Sequence, residues 1–177
     1  MICNVRDACH PEDWTLDGGK WQHVGTFDRK RLSELEENPH NLWLEDRQDR
    51  APCNPQFCKK RQQSLYLVRP KNLRVRLWKE HDKWKGYVTK KTRAMFNYGG
   101  LEYDLGLTDD FTKERYCRTF PDVDEPASEV RLPFGDECLL CVSLTPKFNG
   151  YHYKVVAAML KLQRRFSLIP KILRRNT

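Results

Sequence analysis

The 177-residue sequence predicts a mainly β (α+β) chain, a small antiparallel barrel with flanking helices and a basic C-terminal helix and tail. Three observations predict it. Leu65 and Leu67, then Leu73, Val75 and Leu77, recur at every second position with polar or aromatic residues between them, the period of a half-buried strand. Asn97-Tyr98-Gly99-Gly100 separates two alternating runs, as a hairpin turn does. Cys138-Leu-Leu-Cys-Val-Ser-Leu144 is a continuous apolar run of strand length, the pattern of a strand buried on both faces.

Along the chain, Cys9-His-Pro-Glu-Asp-Trp14-Thr-Leu-Asp17-Gly-Gly reads as an irregular stretch closing in a turn. Residues 29 to 37 read as a short helix, with Asp28 as its cap, Asn38-Pro39 as its stop, and Leu32 and Leu35 as a narrow apolar stripe. Arg47 to Gln63 is polar, carries Pro52 and Pro55 and has no period, so it is expected to be a long loop. Strands follow from Ser64 and again after Pro70. Lys79 to Lys85 connects to a strand running from Tyr87 to Phe96, and Leu101 to Leu107 completes four consecutive strands, a meander. Thr108-Asp109-Asp110 caps a helix to about Cys117, and Pro121 to Glu129 is an acidic surface loop. After the buried 138–144 strand, Tyr151, Val155, Met159 and Leu162 stand at helical spacing, which predicts a terminal helix merging into a basic tail. The domain division expected is 1–58, 59–162 and 163–177.

Thirty-two Lys+Arg against 24 Asp+Glu leave a formal +8, unevenly placed. Residues 1–58 are net −4, 59–93 net +11, 94–137 net −7 and 138–177 net +8. Two basic blocks between acidic ones suit a polyanion-binding surface, although a single block is more often a solvated face. No apolar run approaches the roughly 20 residues of a membrane span, and Met1-Ile-Cys-Asn-Val-Arg-Asp lacks the apolar core of a secretion signal. The expectation is a cytoplasmic protein without a membrane partner. Seven cysteines, an odd number, are then expected as thiols, and a chain of this length folds without disulfide, metal or cofactor.

The constellation with most chemical content lies in the +11 block. Arg74, Arg76 and Trp78 share one face of one strand; Lys85, Tyr87, Thr89, Lys91 and Arg93 share one face of the next. If these strands pair, cations that neutralise phosphates lie beside rings that stack bases, the combination single-stranded DNA or RNA requires. The alternative is a solvated face with rings packed on Lys and Arg stems. Arg164 and Arg165 extend the site into a tail that reads as a phosphate-contacting arm, a membrane-surface helix, a docking segment or a disordered end; Pro170 interrupts the helix and favours arm or docking.

Metal and catalytic patterns are weak. Cys138 and Cys141 are three apart on a strand and point to opposite faces, so they read as core residues. Cys9, His10, Cys53 and Cys58 fall on loops and could meet as a zinc set, but their spacing is far from a finger. His10 with Glu12 and Asp13, and His152 between Tyr151 and Tyr153, complete no nucleophile and base pair, and phosphate-cradling glycine loops are missing. The expectation is a binding protein rather than an enzyme, with nucleic acid as leading partner and a larger protein or nucleoprotein complex as the alternative.

His10-Pro-Glu-Asp-Trp14-Thr-Leu-Asp17 with Trp21, and Leu139 to Leu160 with its Ser143-Leu144 and Tyr151-x-Tyr153-Lys154, together resemble the prokaryotic dual OB-fold-containing domain family. Phe96-Asn-Tyr98-Gly-Gly-Leu-Glu-Tyr103-Asp-Leu105 followed by Thr108-Asp109 is similar to its strand pair. The resemblance covers about residues 2 to 160 and implies OB-type barrels in tandem, which often bind single strands on the strand surface. It carries over no catalytic residue. This chain is shorter at its amino end than the family pattern, so residues 1–58 are expected to be the remnant of a first barrel, with a partner as one way of completing it.

Overall fold

The computed structural model describes residues 2–3, 15–16, 23–43, 49–53, 63–83 and 86–163. Strands β1 (Ile2–Cys3) and β2 (Thr15–Leu16) form a separate antiparallel pair. The remaining strands are β3 (Arg50–Pro52), β4 (Leu65–Val68), β5 (Lys71–His81), β6 (Val88–Tyr98), β7 (Leu101–Leu107), β8 (Ser128–Val130), β9 (Cys138–Leu144) and β10 (Tyr151–Lys161). They form one sheet in the order β4-β9-β10-β7-β6-β5-β8, with β3 on β10. A 3-10 helix spans Arg29–Leu35 and α1 spans Asp110–Tyr116. Asp28 caps the first by accepting from the Lys30 N–H, and Asp109 caps the second by accepting from the Thr112 N–H, as the polar residues at those positions predict.

β4 and β5 stand at or near opposite ends of the strand order yet are separated only by Arg69-Pro70, so they are two halves of one bent strand and tie the sheet into an OB-type barrel. Pro70 supplies no ladder donor, and just beyond it Asn72 is left-handed at φ 55°. The register slips between Lys71 and Arg74, and the Asp136 carboxylate accepts the freed N–H groups of Asn72 (2.9 Å) and Leu73 (2.8 Å). The expected four-strand meander is therefore a three-strand one, β5-β6-β7, because β4 crosses to pair with β9.

Three further expectations are corrected. Residues 151–161 are a strand, not a helix: His152, Lys154 and Val156 are buried in alternation. The register with β9 then shifts between Val156 and Ala158, so the next buried residue is Met159. Tyr151 and Val155, four apart, share the strand's outer face, and the bulge residue then brings Met159 to the inner one, so residues of two faces imitate one helical stripe, while Tyr151, Tyr153, Val155 and Val156 favour a strand. The expected 47–63 loop contains β3, whose Ala51 is fully buried; three residues are too few to display a period. Finally, the barrel is not wholly antiparallel, since β10 runs parallel to β7 at Val155↔Gly106 and Val156↔Leu107. The continuation of the expected terminal helix, from 164 onward, lies outside the described residues.

The interior is filled by the inward rows of the barrel strands, with Phe96 and Tyr103 stacked at 5.5 Å between centroids. Each fully buried aliphatic or aromatic side chain there contributes about 1.5–3 kcal/mol. One end is covered by residues 36–43. Leu42 and Trp43 are buried, the Trp43 Nε1–H donates to the Gln63 carbonyl at 2.8 Å, and the Tyr98 hydroxyl donates to the Pro39 carbonyl at 2.7 Å. The Glu37 N–H and carboxylate bind the C=O and N–H of Leu67 (2.7 and 2.8 Å), covering the edge of β4 left open by β9.

Candidate functional site

The register of β5 and β6 sets Arg76 opposite Arg93 and Trp78 opposite Lys91, so Arg74, Arg76, Trp78, Lys91 and Arg93 share the outer face, as their alternation predicts. Two arginines directly opposed on a sheet repel. Here β7 supplies the answer, because Asp104, on the same outer row, lies between them: its Oδ2 is 2.5 Å from Arg76 Nη2 and its Oδ1 2.6 Å from Arg93 Nε. Arg74 reaches Glu129 of β8 at 3.0 Å and Glu102 of β7 at 3.5 Å. Lys91 pairs with Glu80 at 3.1 Å. The Trp78 indole also donates to Glu80, and this hydrogen bond, with Lys91, holds the Glu80 carboxyl below the usual carboxylate range. Arg76 lies over the Trp78 ring at 5.5 Å.

Four cations thus face four carboxylates, Glu80, Glu102, Asp104 and Glu129. Glu102, Asp104 and Glu129 escaped the reading of the basic block because they come from other strands, whereas Glu80 is on β5 itself, at the next outward position after Trp78. Glu102 and Asp104 do alternate with Tyr103 and Leu105 in the sequence; their shared outward face was the available signal, lacking only the β6–β7 register. Tyr87 sits in the β5–β6 connection rather than in β6, and is 56% exposed.

The outer face continues through Gly106 and Val155 to a second ring and cation group that sequence reasoning missed. Arg50 of β3 is opposite Tyr153 and lies over both Tyr153 (5.2 Å) and Tyr151 (5.5 Å). Phe148, in the β9–β10 connection, contacts Tyr153 at 6.3 Å between centroids and is 63% exposed. Asp49 beside Arg50 is held below its ordinary value, first by the Arg50 hydrogen bond and also by the charge of Arg93, so this group lies within the field of the first. Reading 151–155 with period two would have placed Tyr151 and Tyr153 on this face.

Lys85, Arg164 and Arg165 lie outside the described residues, as do Cys9, His10 and Cys58 of the expected zinc set; Cys53 is described and half-buried. Among the described residues no group of three or more His, Cys, Asp or Glu is placed to hold a metal. Burial pushes the Cys138 thiol up to about 12 and raises those of Cys117 and Cys141, so these thiols stay protonated and poorly nucleophilic. No helix among the described residues is long and apolar enough to cross a membrane. What the arrangement offers is recognition: guanidinium donors held in place by carboxylates, interleaved with ring faces.

No curated protein and no solved structure matches the chain. The family model described as a dual OB-containing domain matches residues 1–159. With that match over most of the 177 residues and an OB-type barrel in the structure, the chain belongs to the dual OB-containing domain family.

Proposed function

We propose that the protein is a non-enzymatic module that binds single-stranded nucleic acid across the outer face of β5, β6 and β7. The observation that carries the reading is the stack of Arg76 on Trp78 beside Arg93, bracketed by exposed rings in two connections, Tyr87 between β5 and β6 and Phe148 between β9 and β10. OB barrels take oligonucleotides on their second and third strands and on those two connections. With β4 and β5 counted as the first strand, these are β6 and β7. Phosphates would replace carboxylates on guanidinium groups that are already ordered, and bases would stack on the rings. Arg164 and Arg165 would add backbone contacts.

The test is fluorescence anisotropy with single-stranded and duplex oligonucleotides at several salt concentrations. The expected result is salt-dependent binding that prefers the single strand and is lost in the Arg74→Glu, Arg76→Glu double variant. Absence of binding at low salt, or binding indifferent to that variant, overturns the reading.

The pairing of four cations with four carboxylates favours a second reading, docking onto a protein within a larger assembly, since a charge-balanced face suits a protein surface with both signs. A monodisperse monomer by light scattering that binds the oligonucleotide without any protein counts against it.

A further inference from the structure

The cations of the outer face each rest on a carboxylate; a second group of cations does not. Arg29 and Lys30 open the 3-10 helix and Lys161 ends β10, and the three line one cleft of about 750 Å³ with Pro133, Phe134 and Leu162. Among the described residues none of these three cations has an ion-pair partner, in contrast to Arg31, which is held by Glu34 at 2.8 Å. Arg69 at the same place is held in a fork by Glu36, with a shortest contact of 2.6 Å. Glu137 is the acidic residue of the lining, and its backbone builds the wall, donating to the Phe134 carbonyl at 2.9 Å and accepting from the Leu162 N–H at 3.0 Å. The cleft is therefore a backbone-anchored hollow with positive charge on its rim and apolar groups on its floor.

We propose that this cleft docks an acidic segment of a partner protein, with carboxylates on Arg29, Lys30 and Lys161 and an aliphatic side chain on the floor. Charge complementarity sets the sign of the occupant, and the floor sets its class. Phe134 is 8% exposed and Leu162 9%, too little to offer a ring face for a base, so the lining does not reproduce the stacking platform single strands need. A shallow floor of that kind suffices for an aliphatic side chain, and the volume falls in the range of ligand clefts. The cleft is distinct from the outer β5–β6–β7 face, and its occupancy is independent of nucleic-acid binding there.

The experiment is anisotropy of a fluorescein-labelled peptide of alternating Glu and Leu, titrated with the full chain at low salt. A Glu and Ser peptide of equal length and charge and a single-stranded oligonucleotide serve as competitors. The expected result is binding that weakens about tenfold in Arg29→Glu, Lys30→Glu and again in Lys161→Gln, while Arg76→Glu leaves it unchanged. The Glu and Ser peptide competes poorly. Circular-dichroism melting of each variant separates lost binding from lost folding, and Lys161→Gln is mild enough to keep the fold. No binding by the native chain, equal binding by the folded variants, equal competition by the Glu and Ser peptide, or displacement by the oligonucleotide overturns the proposal.

Discussion

Asp104→Asn removes the carboxylate that two arginines share and leaves a side chain of the same shape. Arg76, Asp104 and Arg93 are 36%, 38% and 31% exposed, so each ion pair is partly screened by water. Pairs in such settings contribute about 0.2–1 kcal/mol each, and losing both costs roughly 0.5–2 kcal/mol of folding stability. The same interaction opposes anion binding, because a phosphate must displace the carboxylate. If the outer face binds single strands, releasing the two guanidinium groups raises affinity by roughly 2- to 30-fold, the equivalent of that energy. It also gives the face one more positive charge, which steepens the logarithmic salt dependence by about 0.7 for a single strand. The assay is anisotropy of a labelled single strand at several salt concentrations, with urea denaturation on the same preparations. Unchanged affinity and slope would mean that the nucleic acid does not touch this face. Weaker binding would mean that Asp104 orients the arginines rather than competing for them. Either result refutes the exchange argument.

Phe148→Ala removes a ring that is 63% exposed, so the melting temperature stays constant while single-strand affinity falls by about 1–3 kcal/mol; equal affinity removes the β9–β10 connection from the site. Gly99 has φ 57° and a Cβ there would lie 2.8 Å from the His40 carbonyl oxygen, so Gly99→Ala destabilises by at least about 1–2 kcal/mol, and a neutral urea midpoint would show that residues 36–43 do not pack on the hairpin. Cys138 has its thiol raised by burial to about 12, against roughly 8.5 in an unfolded chain. The folded state therefore favours the protonated form: its contribution is complete below about pH 8.5 and is lost as the pH rises toward 12. Urea denaturation between pH 8 and 11 should fall less steeply for Cys138→Val than for the native chain, and identical slopes would refute the assignment.

The strands from 65 to 107, the hairpin at Gly99-Gly100, both helix caps and the 138–144 strand were legible because each depends on neighbours in the chain. Side-chain alternation follows from the pleat, and a cap follows from one side chain reaching a nearby N–H. The same local information put Arg74, Arg76, Trp78, Lys91 and Arg93 on one face correctly. β10 was misread for a local reason too. A single bulge at 156–158 breaks the period on which any reading of alternation rests.

The charge of the candidate site was not legible, and here the cause is distance along the chain. Arg76 meets an aspartate 28 residues away, and Arg74 a glutamate 55 residues away, because the strands of a meander and the β8 edge come together only when the sheet closes. A count along the sequence sees a +11 block; the folded face sees five ion pairs and a few rings. Conversely, Arg29, Lys30 and Lys161 belong to segments more than 130 positions apart in the numbering, yet they share one cleft. Alternation along each strand is a property of local backbone geometry and could be read from the residues. Which charge neutralises which is a property of register and barrel closure, and it emerges only once the bent strand at Arg69-Pro70 joins the two ends of the sheet.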